Sequence, residues 1–365
     1  MWTMKLKDVP KSVNRHAVTI KGKIYSFDIS YEERDFIDVY IFHPACYSWD
    51  VVRTTPLPGG RPRTFLDLNV VAYGDSAYLL GGWRTKKSDS GGSLYRFDTN
   101  TMAWSCPEVS GDEPRILFRS ACVIAHRMFI ISSQPVHSVR HIHFLDLNTF
   151  KWHRVHTTGD APICPPFNSA CVIGSRIYVW ECNVYNNSVF YLDTIRSTWV
   201  RPHVEGVTPE LRFSHAVFVY NGEMYIFGGY SRKLRILFAD VHKYDPTMSC
   251  WTQVRPKRSG PCARVLNASC VIGNRAFVFL GRTSKRIRGG EYPPADRQVV
   301  PPHRFDEEEL TDMYVLDFAP ALQTLCLVAL VDARVQVWGL PKVLMDLYNA
   351  MEDDDSISHR WWLMG

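Results

Sequence analysis

Arginines gather where this chain can bind an anion. In "GGYSRKLR", Tyr230 is followed closely by Arg232, Lys233 and Arg235, and Arg212 and Ser214 stand upstream in "LRFSH". Trp83 and Arg84 form a similar pair after Gly81-Gly82, and Arg264, Arg282, Lys285, Arg286 and Arg288 extend the basic set. A planar guanidinium donates to both oxygens of a carboxylate, and neighbouring aromatic rings keep water away from it. Such a set suits a peptide carrying a terminal carboxylate. In order of expectation, its binding residues are Arg232, Arg235, Arg212, Ser214 and Tyr230, then Arg84 and Trp83.

Other chemistry is poorly supplied. The ten cysteines form no CxxC pair, and the thirteen histidines include no HExxH. No metal or other cofactor is expected. No nucleophile, base and orienting group stand in a recognisable constellation, so a non-catalytic protein is expected. The net charge of +5 does not call for nucleic acid. The N-terminus, "MWTMKLKDVPKS", lacks the apolar run of a signal peptide. No run approaches the ~18 apolar residues of a membrane span. These features point to a reducing, intracellular setting with free thiols, in the cytoplasm and extending to the nucleus. The sequons at Asn186 and Asn267 would then stay unmodified.

What positions the basic residues is a repeat. "SACVIAHRMFII" from Ser120, "SACVIGSRIYVW" from Ser169 and "ASCVIGNRAFVF" from Ala268 each read strand, polar turn, strand. "HAVFVYNGEMYIFGGY" from His215, "HAVTIKGKIYSFDIS" from His16 and "LNVVAYGDSAYLLGGW" from Leu68 complete six copies. Third strands follow at "DVYIF", "LYRFD", "IHFLD", "VFYLD", "VHKYD" and "MYVLD". A tryptophan opens a fourth strand at Trp49, Trp104, Trp152, Trp199 and Trp251. The sixth copy lacks one, but Trp2 opens "WTMKL" at the other end of the chain.

Four strands in each repeat of about fifty residues describe a propeller blade. The pattern resembles kelch repeats. It predicts an all-β, six-bladed propeller over residues 1–318, with the Trp2 strand completing blade six. The aligned tryptophans and the equivalent Cys122, Cys171 and Cys270 read as packing residues. Only copies two and five keep Gly-Gly after the second strand, so altered turns are expected in the other four. Residues 283–310, rich in Pro, Gly and charge, read as a long loop within blade six.

The pattern stops after "MYVLDF". Leu322, Leu325, Cys326, Ala329 and Leu330 share one helical face behind Pro320. Leu340, Leu344 and Leu347 or Tyr348 form a second face behind Pro341. Periodicity alone favours packing on the propeller, and "TLCLVALV" also fits a strand. The residue types resemble something more specific. Leu322, Cys326 and Leu330 are similar to the elongin-binding box of ubiquitin-ligase substrate receptors. Leu340, Pro341, Leu344 and Tyr348 are similar to the adjoining Cullin-2 box. With "LDFAPALQTLC", "GEMYIFGGY" and "IDVYIF", the chain resembles the kelch-repeat substrate receptors of Cullin-2 RING ubiquitin ligases.

That resemblance implies a docking segment over residues 319–350, with a mobile acidic tail over 351–365. It implies as partners elongins B and C, Cullin-2 with its RING subunit, and the C-termini of proteins ending in glycine. In such receptors, arginines just after the fourth-blade doublet help to hold the carboxylate. Here that place reads "ECNVYNNS", which moves the candidates to blade five. The alternative is a kelch interaction protein without ligase function, meeting an acidic or chromatin partner, with a meiotic role.

Overall fold

In the computed structural model, the strands pair as six antiparallel sheets whose order repeats the six sequence copies. The described residues are 1–6, 9–10, 16–28, 37–54, 69–81, 93–114, 118–132, 141–162, 170–183, 186–231, 233–284, 297–299, 307–333, 335 and 340–352. Blade one comprises Ala17–Ile20, Lys23–Phe27, Asp38–His43 and Ser48–Arg53. Blade two comprises Asn69–Tyr73, Ser76–Gly81, Ser93–Asp98 and Ala103–Ser105. Blade three comprises Phe118–Ile124, Arg127–Ser132, His141–Asp146 and Lys151–His156. Blade four comprises Ala170–Ile173, Arg176–Asn183, Asn186–Asp193 and Thr198–Val200. Blade five comprises Ala216–Tyr220, Glu223–Phe227, Val241–Asp245 and Cys250–Val254.

Blade six closes the ring as the displaced tryptophan implied. Ala268–Ile272, Arg275–Phe279 and Met313–Asp317 are joined by Trp2–Leu6, which runs antiparallel to Met313–Asp317. The first strand of each blade touches that of the next, and that of blade six touches that of blade one. Closure leaves no sheet edge between the first and last blades.

Local chemistry sets each blade. Tight turns such as Asn221-Gly222, both at positive φ, link first and second strands. The aspartate ending the third strand accepts backbone N–H groups of the next turn. Asp98, Asp146, Asp193 and Asp245 each take two, at 2.7–3.2 Å. These Asx turns explain why "LD" and "YD" recur. The core is a set of layers between neighbouring blades. Trp2, Trp104, Trp152, Trp199 and Trp251 are buried in those layers, and Trp49 packs at the layer between blades six and one. Cys122, Cys171 and Cys270 are buried free thiols there, in accord with a packing role.

A linking device went unread in the sequence. Ser110–Gly111, Thr158–Gly159 and Glu205–Gly206 each add a short parallel piece to the outer strand of the following blade. Their glycines have φ of +80 to +88°. A Cβ at Gly111, Gly159 or Gly206 would stand 2.1–2.4 Å from the carbonyl oxygen of Trp152, Trp199 or Trp251. One at Gly260 would meet the Trp2 indole instead, with Nε1 at 2.2 Å, so a glycine also lies close against the tryptophan of the closing blade. Gly206→Ala is expected to destabilise the chain by about 2–4 kcal/mol, through a backbone clash and positive φ together. Its thermal unfolding midpoint, compared with the wild type, checks this.

Two expectations need correction. The doublet conformation survives in blade six without its first glycine: Leu280 has φ +59° beside Gly281 at +104°, against +72° and +101° for Gly228 and Gly229. Burial of the Leu280 side chain offsets the backbone cost. Residues 283–310 are not wholly loop. Arg282–Ser284 pairs with Glu307–Glu309, and Arg297–Val299 reaches across to pair with Ile236–Phe238 of blade five.

Two helices follow, α1 (Leu322–Asp332) and α2 (Lys342–Glu352). The strand reading of "TLCLVALV" is therefore excluded. Leu327, Val328 and Val331 of α1 and Tyr348 and Met351 of α2 enter the layer between blades six and one. α2 continues through Met351 and Glu352, so the tail expected from residue 351 begins later, and its remainder lies outside the described residues.

Candidate functional site

The mouth at blades five and six is built by an arginine that appears in the same place twice. Arg212 and Arg264 each precede a first strand by four residues. Arg212 Nε donates to the Glu210 carbonyl at 3.0 Å, and Arg264 Nε to that of Cys262 at 3.1 Å. Each then holds the carbonyl that opens its doublet, Gly228 at 3.2 Å and Leu280 at 3.0 Å. Each finally meets an aspartate placed directly before a third strand. Arg212 binds both carboxylate oxygens of Asp240, with Nη2 at 3.0 Å from Oδ2, and Arg264 binds those of Asp312 at 2.6 and 3.3 Å.

Both guanidinium groups are almost fully buried. Arg212 also lies over the Phe238 ring, 3.6 Å from its centroid. The expectation that Arg212 clamps a ligand carboxylate is thereby corrected, because its fork is already filled by Asp240 and two carbonyls. Arg264 is occupied in the same way. Arg282 extends toward Glu309 at 3.1 Å, so part of the basic mouth is balanced by the chain's own acidic run. Asp240 and Asp312 were missed in the sequence. An aspartate before the third strand, paired with an arginine four residues before the first, was the available signal.

The other candidates separate clearly. Tyr230 and Arg235 belong to a hairpin, Tyr230–Ser231 with Ile236–Phe238, that springs from the Gly228-Gly229 doublet. Arg235 is exposed at its tip, with φ +58°, and its N–H donates to the Ser231 carbonyl at 2.7 Å. Lys233 is exposed beside it. Tyr230 meets Phe213 edge to face, with centroids 5.4 Å apart. Ser214 turns the chain with φ +57°, and its carbonyl accepts the Leu266 N–H at 3.0 Å, joining blades five and six. Arg232, Arg84 and Trp83 lie outside the described residues, as do Lys285, Arg286 and Arg288.

His215 follows Ser214 and packs against Trp180, ring centroids 5.0 Å apart. Burial first and the Arg212 charge second push its pKa down to about 3. His242 falls to about 4 through burial, opposed by Asp240 and reinforced by Arg212. Both are neutral in the fold and take up protons only on unfolding. Their stabilisation is complete above the unfolded value of 6.5 and is lost as pH falls toward those lowered values. Each contributes a slope of up to about 1.4 kcal/mol per pH unit in that window. The unfolding midpoint is expected to drop between pH 7 and pH 4.5, and less steeply in His215→Phe. A pH-scanned melt reads the difference.

The docking segment splits into two faces. α1 leaves Leu322 76% and Leu325 42% exposed, with Cys326 and Ala329 exposed too, while Leu330 is partly buried against the core. Its opposite face is the buried one. α2 does otherwise. Leu340 and Leu344 pack partly against the core, Pro341 is exposed, and Tyr348 is buried with its hydroxyl donating to the Val335 carbonyl at 2.7 Å. The expectation that Tyr348 offers a docking surface is corrected, because an amphipathic α2 spends its apolar face on its own propeller.

Among the described residues, no group of three or more His, Cys, Asp or Glu is placed to hold a metal ion. The chain does contain one HxH, His141-Ile142-His143, whose first ring faces His156 with centroids 5.2 Å apart. A shallow groove of about 1000 Å³ lies elsewhere, at the turns of blades four and five, where Lys243 and Glu223 pair at 2.5 Å. No helix among the described residues is long and apolar enough to cross a membrane.

Comparison with known proteins agrees with this architecture. Residues 67–281 match the KLHDC2/KLHL20/DRC7 Kelch-repeats domain. Kelch domain-containing protein 3 of Bos taurus is 32% identical over 391 aligned residues, covering 98% of this chain and 97% of that protein. The Rattus norvegicus protein of the same name is 33% identical over 392, with the same coverage. The Drosophila melanogaster leucine-zipper-like transcriptional regulator 1 homolog is 25% identical, covering 73% of this chain but 30% of its own length. A kelch propeller of this kind generally binds proteins and does not catalyse. With matches at this identity along nearly its whole length, the chain belongs to the kelch-repeat family represented by Kelch domain-containing protein 3.

Proposed function

We propose that the chain is a substrate-recognition subunit of a Cullin-2 RING ubiquitin ligase. In this reading it docks on elongins B and C through α1, engages Cullin-2 through the start of α2, and presents proteins for ubiquitination by binding glycine-ended C-termini in the mouth. The observation that carries it is the outward face of α1. A helix apolar on all sides belongs inside a protein. This one buries Leu327, Val328 and Val331 yet leaves Leu322, Leu325 and Cys326 in solvent. Leu322 and Cys326 are two of the three residues that resemble the elongin box, and Leu330, the third, is partly buried against the core.

For Cullin-2, Pro341 is the exposed member of the box, and Leu340 and Leu344 are half-buried beside it. At the mouth, Arg235 on the blade-five hairpin remains a carboxylate donor, with Tyr230 as the aromatic wall. Co-expression with elongins B and C and Cullin-2 tests docking, and a library of peptide ends tests recognition.

A second reading, a kelch interaction protein without ligase function, draws on the inward packing of Leu340, Leu344 and Tyr348. It predicts a folded chain that copurifies with neither elongin nor Cullin-2.

A further inference from the structure

Four buried side-chain atoms at the blade-five and blade-six junction have no hydrogen-bond partner: His215 Nδ1 and Nε2, and Asn267 Nδ2 and Oδ1. The two residues are only 7% and 8% exposed. They occupy the same position in consecutive repeats, directly before the first strands Ala216–Tyr220 and Ala268–Ile272. They also converge on one doublet. A Cβ on Gly228 would stand 3.6 Å from Asn267 Oδ1, and one on Gly229 would stand 3.1 Å from His215 Cβ. Leaving such atoms unpaired costs about 1–3 kcal/mol per group, so each calls for a partner, whether a ligand group, an ion or an ordered water.

We infer that His215 and Asn267 form a receptor for a backbone amide of an extended peptide, at the inner end of the mouth. Donor and acceptor bookkeeping selects the amide. A neutral imidazole presents one N–H and one lone pair, and a carboxamide presents N–H donors and a carbonyl. A ligand group that both donates and accepts satisfies both residues at once. A carboxylate only accepts, and would leave the Asn267 oxygen and the imidazole lone pair facing negative charge. The nearby cations do not alter this, because Arg212 and Arg264 are closed by Asp240 and Asp312. The first strands of a propeller surround its central channel, which gives a peptide its approach.

Resting on the proposed binding of chain ends, this deepens that reading. The terminal carboxylate goes to the exposed Arg235 of the hairpin, and the last peptide bond lies against His215 and Asn267.

The test takes the full chain and the tightest binder from a library containing all twenty terminal residues. Three forms of that peptide are compared: the parent acid, its C-terminal carboxamide, and an ester replacing the last peptide bond. The ester keeps the carboxylate but lacks the amide N–H. The expected result is at least a tenfold loss for the ester in the wild type and less than a twofold difference in Asn267→Leu. Asn267→Leu and His215→Phe are expected to bind the parent weakly while melting at or above the wild-type temperature, since each removes unpaired polar atoms.

An ester that binds the wild type within twofold of the parent overturns the inference. So does a lower melting temperature with unchanged affinity, the signature of a buried structural water alone, and so does the absence of any binding peptide. If the ester effect holds for peptides ending in residues other than glycine, the amide receptor stands and the glycine-end reading fails. If only the carboxamide form is lost, the terminal carboxylate is recognised and the amide receptor fails.

Discussion

A Leu322→Ser, Cys326→Ser double variant is expected to lose copurification with elongins B and C while melting within a degree or two of the wild type. The stability half follows from exposure. Leu322 is 76% exposed and Cys326 is exposed, so replacing them leaves no cavity in the propeller. The binding half follows from what a helix in a groove uses, which is apolar anchors about a turn apart on one face. Leu322 and Cys326 are such a pair, with Leu325 between them. Loss of two central anchors costs a standard interface at least 2–4 kcal/mol, or roughly thirtyfold to a thousandfold in affinity.

The opposite face of the same helix supplies the control. Val328→Ala acts on a side chain packed in the layer between blades six and one. It is expected to lower stability by about 1–3 kcal/mol, and to affect elongin binding only through loosened seating of α1. If the double variant keeps its elongins, α1 is not the docking element, and the interaction propeller without ligase function becomes the better account. Co-expression pull-down and a melting curve on the same preparations decide it.

Arg264→Met is expected to be among the most destabilising single changes in the chain, at about 3–5 kcal/mol. The Arg264 side chain is fully buried, and Asp312 is 16% exposed. Removing the guanidinium leaves the mostly buried Asp312 carboxylate without its cation. It also releases the Cys262 and Leu280 carbonyls, which have Arg264 as a donor. Asp312→Leu added to Arg264→Met should recover much of the loss, because no unpaired charge then remains. Recovery stays incomplete, since the two carbonyls still lack their donor. Urea midpoints of the wild type, both single variants and the double variant measure the coupling. A fully additive double variant would show that the pair does not act as a unit.

The same experiment bears on function. Arg264 holds the Leu280 carbonyl as Arg212 holds that of Gly228, so each arginine sets the shape of a doublet at the mouth. These residues position the site. A loss of ligand binding in Arg212 or Arg264 variants that tracks the loss of stability would agree with that role. A loss at unchanged stability would restore them as direct ligands.

Much of this molecule was determined by local pattern. Six copies of strand, turn and strand, five of them with a third strand ending in aspartate, define the blades because alternation and turn chemistry act over a few residues. Trp2 predicted the closing strand because the missing outer tryptophan of copy six had to be supplied from elsewhere. The helical nature of residues 322–332 and 342–352 was legible from spacing and from Pro320 and Pro341. Periodicity alone favoured packing the Leu322 face of α1 on the propeller, whereas the structure leaves Leu322 and Leu325 exposed and buries Leu327, Val328 and Val331 instead.

Tertiary structure alone decided which charges are available. Arg212, Arg264 and Arg235 look alike in sequence, yet two are buried against aspartates about thirty to fifty residues away and one stands in solvent. A guanidinium binds whichever carboxylate the fold brings to it, and that meeting depends on how strands distant in sequence are stacked. The unpaired atoms of His215 and Asn267 were invisible for the same reason, since a missing partner is a property of the whole surroundings. Leu280 at φ +59° shows the limit from the other side, where packing held a turn that its own residue type disfavours.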